Sequence, residues 1–546
     1  MAARAHESTA VFVNADVVTM DPRHPFAEAV AVRSGRILAV GDSGHVLAAA
    51  GRGARLFDLG GNALVPGFID SHGHFTQVAI ELDWVDLSPP PAGRTATIEG
   101  MIVQLRARLH RLAAQHKYVL GVGYDDTMLA ERRHPTREDL DRVSTDLPVW
   151  VVHTSRQMAV GNSVALDQAG MTEPTGLLRD AAWAHVRLTL FPTVPEHHHP
   201  DLIRRTGEHY ARLGITTALD GSVDIGGMQM LHAAADDGSL PIDVVAYPLY
   251  QLEQRLPASA APYRRGYVGG VRIGGVKIVL DGTPQGKTAW LTEPYLMAPD
   301  GESPSYTGMP LFSDEDVFRM VADCFARRVQ VLAHANGDAA IEQMIEAVAR
   351  AAPQQGGNDL RPVMVHAQLA TEDQLDRMRA LRILPSFCSS HGFFWGDWHV
   401  ASVLGPERAP RLNPARSAGR RGLRFSLHND APIVPPNMLF LIWSAVTRFS
   451  RSGVVIGPDQ RLTPTEALRA LTIDAAYQHF EDEQKGSLEV GKLADMAVLS
   501  ENPLRVAPDA IREIEVLATL KEGMPIQVLE RARLPDALTE SVAPLA

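Results

Sequence analysis

Eight short apolar runs, most of them finishing in or near a polar residue, recur through the middle of the chain. They cover residues 64–70, 215–220, 242–248, 276–281, 329–334, 363–366, 383–387 and 423–430. Runs this short, with little polar alternation, read as strands buried on both faces. Helical patterns separate most of them, at 202–213, 315–328, 339–352 and 372–381. Ser313 and Thr371 stand ahead of acidic first turns, as helix caps do. Eight alternating β/α units predict an α/β fold, a closed (β/α)8 TIM-like barrel rather than an open sheet.

The two ends of the chain have another texture. Residues 9–64 read as short β-branched strands and turns, with a hairpin at Ser34-Gly35, and 486–499 and 513–523 look alike. About 55 residues of sheet cannot close a core alone, so the ends are expected to pair into one small β-sandwich. The predicted domains are 1–64 (sandwich, first part), 65–480 (barrel) and 481–546 (sandwich, second part). Residues 76–200 are too long for a structureless loop. They are expected to form an inserted α/β subdomain after the first strand, over the C-terminal mouth of the barrel. The run His197-His198-His199, bounded by Pro195 and Pro200, reads as an exposed linker.

Composition removes several classes of function. The 546 residues carry a net charge of −12, spread along the chain, which argues against nucleic acid as a partner. No apolar run is long enough for a bilayer and the N-terminus lacks a signal-type core, so no membrane partner is expected. Cys324 and Cys388 are the two cysteines and cannot make a disulfide framework, which suits a cytoplasmic protein. A homo-oligomer is left open.

At a strand end, His72 and His74 point the same way, because side chains alternate with period two, and Gly73 leaves room between them. The other runs bring Lys277, His334, His366 and Asp430 to the same ends, where barrel enzymes place their active sites. Four histidines and an aspartate suit Zn2+ or a similar divalent ion. Singly, His334 and His366 are open to a reading as core histidines, and Asp430 as a helix cap. Lys277 lies inside an apolar strand, so burial should favour its neutral amine. Such an amine can take up CO2 as a carbamate able to bridge two cations; the alternative is an ordinary ion pair with Asp281.

These motifs, Pro66-Gly67-Phe68-Ile69-Asp70-Ser71-His72-Gly73-His74, Val276-Lys277-Ile278-Val279-Leu280-Asp281, Ala333-His334-Ala335-Asn336-Gly337-Asp338, Val365-His366-Ala367-Gln368 and Leu427-His428-Asn429-Asp430, together resemble the metal-dependent amidohydrolase superfamily. The closing Gly486-Ser487-Leu488-Glu489-Val490-Gly491-Lys492 is similar too, and the likeness is to the YtcJ-like branch that includes N-substituted formamide deformylases. The resemblance implies one metal on His72 and His74, a second on His334 and His366, and a bridging carbamate on Lys277. Asp430 would contact the first metal and shuttle protons as the catalytic group. Many members have Ser or Thr before that aspartate; here it is Asn429, preceded by His428.

The expected activity is hydrolysis of a non-peptide C–N bond in a linear amide or N-substituted formamide, with a small molecule as substrate. Deamination, cyclic-amide opening and a non-catalytic scaffold are the alternatives. Tyr124 and His153 in the insertion, Trp290, His391, Trp395 and Arg416 are the candidate substrate contacts, the aromatics being equally able to serve as packing.

Overall fold

The apolar run at 64–70 divides at Gly67 between two sheets. Ala63–Pro66 pairs antiparallel with Met496–Leu499 and parallel with Asp16–Val18, whereas Phe68–Ile69 pairs with Ile215–Val223. The Gly67 N–H donates to the Asp495 carbonyl at 2.8 Å, and a Cβ at this position would lie 2.5 Å from the Thr216 side chain. Only glycine lets the chain cross there, so the single strand expected at 64–70 is two strands.

The structure, a computed structural model, describes residues 9–115, 118–156, 158–179, 182–183, 185–187, 194–299, 301–355 and 359–529. They fall into two compact units, one made of residues up to 76, 203–431 and 436 onward, the other of 77–202 with 432–435.

In the first unit the two ends of the chain share a pair of sheets. One runs Met524–Val528, Val516–Lys521, Met496–Leu499, Ala63–Pro66, Asp16–Val18, Phe26–Ala27; the other runs Arg36–Gly41, Ala29–Arg33, Ala10–Val13, Arg55–Asp58. Phe12, Val17, Val30 and Leu64 from the N-terminal part are buried in one cluster with Met496, Val498 and Leu520 from the C-terminal part. Neither end could remove that apolar surface from water alone.

The other strands of this unit are parallel. Phe68–Ile69, Ile215–Val223, Asp243–Pro248 and Val271–Ile273 form one sheet in chain order. Gly275–Val279, Gln330–Ala335, Val363–His366, Leu384–Phe387 and Ser426–Leu427 form the next. Gly274 alone separates Val271–Ile273 from Gly275–Val279, and a parallel bridge joins Leu249 to Lys277. At the opposite edges, the Ser71 hydroxyl donates to the Leu427 carbonyl at 2.8 Å and the Asp430 N–H donates to the His72 carbonyl at 3.1 Å. The last strand is shorter than the expected 423–430, because after Leu427 the backbone leaves the ladder and reaches φ 62° at Asp430.

Helices Asp314–Ala326, Asp338–Ala351 and Glu372–Leu381 lie between the strands of the second sheet. The Ser313 and Thr371 hydroxyls accept from the backbone N–H three residues on, and Gln374 completes a capping box. His199 is no part of a linker: it opens the helix His199–Ala211, is buried, and its Nε2 lies 2.8 Å from the Val194 carbonyl.

The second unit is a mixed sheet in the order Leu177–Arg179, Met158–Gly161, Val149–His153, Val119–Tyr124, Val85–Asp86. Ile98, Met101, Ile102 and Leu105, spaced for one face of helix Ile98–Gln115, are buried against Val119, Val149 and Val151.

A largely buried ionic junction ties the C-terminal segment to the parallel strands. Asp243 Oδ2 lies 2.5 Å from Lys485 Nζ and 2.6 Å from Lys521 Nζ, and Lys521 also reaches Asp495 at 2.7 Å. Burial alone would raise the Asp243 carboxyl, but the two ammonium groups outweigh it and hold the pKa near 2. Asp243→Asn should cost about 1.5–3 kcal/mol, since each ammonium loses one charged partner but keeps another, Lys485 with Glu481 and Lys521 with Asp495, and urea unfolding reads this directly. Because the folded value is depressed, this carboxylate's stabilisation is complete above its unfolded value of 3.8 and is lost as pH falls toward about 2. The variant should lack that part of the acid transition.

Candidate metal centre

The six residues at the strand ends meet in one buried place. His72 and His74 follow Phe68–Ile69, Lys277 lies in Gly275–Val279, His334 in Gln330–Ala335, and His366 ends Val363–His366. Asp430 Oδ1 is 3.3 Å from His72 Nε2 and 3.2 Å from His74 Nε2. Lys277 Nζ is 3.2 Å from His72 Nε2, and His366 Nε2 is 3.2 Å from His334 Nδ1. One ligand atom each from His72, His366 and Asp430 falls within 4.8 Å of the others. The His72 ring is seated against Gly221, where a Cβ would stand 2.5 Å from Nδ1.

Two of these positions are held in unusual backbone. His366 has φ 72° and Asp430 φ 62°, left-handed values that cost a non-glycine residue about 1–3 kcal/mol when the surroundings impose them. Such strain recurs where a side chain must be aimed rather than merely buried. Asp281, offered above as a partner for Lys277, is engaged otherwise: its carboxylate accepts the backbone N–H groups of Asn336, Gly337 and Trp290 at 2.8–3.0 Å. It thereby ties the loop after the lysine strand to the segment following His334.

Burial sets the protonation of the cluster. It lowers Lys277 to about 7, so much of its side chain is free amine near neutral pH. It brings His334 and His391 to about 4 and His428 to about 3, and holds His72 and His366 well below the usual imidazole range. Burial opposes ionisation of Asp430 too, yet the ring nitrogens of His72 and His74 beside it keep it a carboxylate. The result is neutral nitrogen donors around one anion. The His334 Nε2 lies 3.0 Å from both the Gly282 carbonyl and the Asn336 side-chain amide nitrogen. Within these residues, Asp430 Oδ1 and His72 Nδ1 are buried without a hydrogen bond of good geometry. Neutral imidazoles, a free amine and a charged carboxylate are the donor set of a divalent cation, and the residues fit one.

The candidate substrate residues divide. His391 is buried, stacks over His366 with centroids 6.2 Å apart, and meets the Trp395 ring edge-on at 5.1 Å. Trp290 is half-buried and donates its backbone N–H to Asp281. Arg416 is not brought to the cluster; its guanidinium pairs with Glu466, the acid of a neighbouring helix's capping box. Tyr124 and His153 belong to the second unit, where the Tyr124 hydroxyl meets His134 at 3.2 Å and His153 Nε2 meets Asp126 at 3.1 Å. Asp125, Asp126 and His153 are the other group with metal-ligand spacing among the described residues. There the Ser155 backbone N–H donates to His153 Nδ1, and His153 Nε2 lies 3.1 Å from Asp126 without a hydrogen bond of good geometry.

His428 is the member that a reading of strand ends passes over. Its Nε2 is 3.1 Å from His366 Nδ1, and its Nδ1 is 2.8 Å from the Ser386 hydroxyl. The signal is the spacing Ser426, His428, Asp430, one face of an extended segment.

The profile of the amidohydrolase family matches residues 55–527, and the chain belongs to that family. It is 27% identical to an N-substituted formamide deformylase of Arthrobacter pascens over 94% of this chain and 97% of that protein. It is also 27% identical to the putative amidohydrolase YtcJ of Bacillus subtilis (strain 168), over 85% of this chain and 89% of the other. In fold it is similar to an uncharacterized metal-dependent hydrolase from Pyrococcus horikoshii OT3, with a TM-score of 0.76 at 24% identity, covering 92% and 99% of the two chains. The chain is therefore a hydrolase of the amidohydrolase kind, acting on carbon–nitrogen bonds other than peptide bonds.

The cluster makes the metal-free protein acid-sensitive. The imidazoles of His72, His334, His366, His391 and His428 are neutral in the fold but protonate near 6.5 once unfolded, so the unfolded chain binds more protons below that pH. The stability contributed by these imidazoles is complete above 6.5 and should fall steadily as pH drops toward about 4. Thermal melting of chelator-treated protein across this range should show the decline, and added Zn2+ should flatten it near pH 6.5.

Proposed function

We propose that the two parallel sheets are halves of one closed (β/α)8 barrel, and that its strand ends hold one or two divalent ions, Zn2+ by preference. The substrate would be a linear amide, of the N-substituted formamide type. The bridge at Leu249–Lys277 and the bonds from Ser71 and Asp430 across the opposite edges support the closure. The observation that carries the functional reading is the meeting of neutral nitrogens with the Asp430 carboxylate. The name of the Arthrobacter pascens relative supports the substrate class.

His72, His74 and Asp430 would hold one ion, His334 and His366 the other, and Lys277, as its carbamate, would be shared. A bound cation supplies Lewis acidity, bringing a water toward ionisation at neutral pH and polarising the substrate carbonyl. The chain's own residues do the rest. Asp430, whose Oδ1 lies 3.2–3.3 Å from His72 and His74, takes the proton of the attacking water and returns it to the departing nitrogen, which must be protonated to leave. The aromatic walls of His391 and Trp395 would exclude water from the site and favour an apolar substituent on nitrogen. Cys324 and Cys388 are buried and unbridged, which supports a reducing, cytoplasmic setting. No described helix is long and apolar enough to cross a membrane.

Asp430→Asn should lower kcat by roughly 10²–10⁴-fold, the range of general acid–base catalysis, while most of the Zn2+ is retained. An active Asp430→Asn protein would remove this role. Native mass spectrometry should find a gain of about 44 Da on Lys277, one CO2 taken up by the neutral amine, and Lys277→Ala should abolish it. A panel of N-substituted formamides, acylated amines and lactams tests the substrate class; turnover of lactams alone, or release of ammonia from heterocycles alone, would exclude linear amides.

A further inference from the structure

We infer that the ion pair between Arg156 and Glu81 is a clamp that positions His74 and Asp430, by holding the two chain segments that run on from them. The inference rests on the metal-binding role proposed for those two residues. Arg156, Glu81 and Pro432 all belong to the second unit, and it is the covalent chain that carries their placement to the cluster.

The grip starts from the guanidinium. Arg156 Nε lies 3.2 Å from Glu81 Oε1 and Nη2 lies 2.6 Å from Glu81 Oε2, a two-pronged contact that suits a planar fork and not a point charge. Nη2 also donates to the Pro432 carbonyl at 3.1 Å, and Nη1 donates to the Thr154 carbonyl at 2.5 Å. Glu81 is buried, and its Oε1 accepts from Gln77 Nε2 as well, at 2.8 Å. The backbone of Arg156 is held as firmly as its side chain. It is left-handed, with φ 59°; its N–H donates to the His153 carbonyl at 2.9 Å and its carbonyl accepts from Trp183 Nε1 at 3.1 Å. A residue other than glycine keeps such backbone only where its surroundings over-determine it.

Both partners of the guanidinium lead back to the cluster. Glu81 closes the helix Phe75–Glu81, whose first residue follows His74. Pro432 stands two residues after Asp430. Asp430 keeps its own left-handed backbone between two bonds: its N–H donates to the His72 carbonyl at 3.1 Å, and the next carbonyl, of Ala431, accepts from the His74 N–H at 2.7 Å. Pro432 has no N–H, so its carbonyl is the one backbone group by which that residue can be held, and Arg156 holds it. Segments 74–81 and 430–432 are thus joined twice, by the His74–Ala431 bond close to the cluster and by Arg156 at their far ends. Releasing the far ends leaves one backbone bond to keep Asp430 Oδ1 within 3.2 Å of His74 Nε2. Arg156 and Glu81 are positioning residues, acting through the backbone of these two segments.

The test is hydrogen exchange of the full-length, metal-free protein, read by mass spectrometry in peptides spanning 70–76 and 427–433, followed by Zn2+ titration against a competing chelator. Arg156→Met should make both peptides exchange several-fold faster, while the peptide containing Asn336 and Gly337, whose amides are held by Asp281, stays unchanged. Zn2+ binding should weaken about tenfold, the low end of what losing an outer partner of a metal ligand costs. Glu81→Gln, which keeps the shape and one acceptor, should move both readouts the same way by less, and serves alone if Arg156→Met does not fold. Faster exchange confined to the second unit's own strands 119–124 and 149–153, as a merely structural ion pair would give, would overturn the inference. So would unchanged Zn2+ affinity in a folded variant when His74→Ala does weaken binding. If His74→Ala itself leaves Zn2+ affinity unchanged, it is the ligand assignment that fails, and exchange in the two peptides alone decides the clamp.

Discussion

A charged carboxylate held among uncharged nitrogens is the interaction on which the rest of this structure turns. Removing one ion from water costs several kcal/mol even after the surroundings relax, and Asp430 lies with imidazoles that burial keeps neutral. Lys277, the amine beside His72, is itself drawn down to about 7. The close ring nitrogens of His72 and His74 offset part of the cost, and a divalent cation would offset the remainder. The metal-free cluster is on this account a strained, acid-labile arrangement kept in place by the scaffold.

Several devices in the scaffold do that keeping. Gly67 allows the chain to leave the terminal sheet and enter the parallel one within a single residue. Gly221 makes room for the His72 ring, and the Asp281 carboxylate gathers three backbone N–H groups beneath His334. The left-handed backbone at His366 and Asp430 aims two side chains that ideal strands would direct elsewhere. Each device is local, and together they leave the cluster little freedom to rearrange.

Much of this frame could be read from the order of residues. Apolar runs and capped helices mark the strands and helices well, because burial on both faces and orphan N–H groups leave strong local signatures. The pairing of the chain ends was legible for the same reason, neither end having enough apolar surface to stand alone. What was not legible depends on distant partners. The break at Gly67 is a consequence of Thr216, and the engagement of Arg416 is a consequence of Glu466. Asp281 looked like a partner for Lys277 because the two are close in sequence, whereas its acceptor sites are filled by amides brought from residues 290, 336 and 337. His428 was visible only as a departure beside Asp430; its contacts depend on the positions of Ser386 and His366.

Anomalous diffraction at the zinc absorption edge, from crystals of the Zn2+-loaded full-length protein, tests the central claim most directly. The account predicts a peak about 2.0–2.1 Å from imidazole nitrogens of His72 and His74, or of His334 and His366, the distance of a zinc–histidine bond. A map with no peak among these residues, or with zinc only at Asp125, Asp126 and His153, would contradict it.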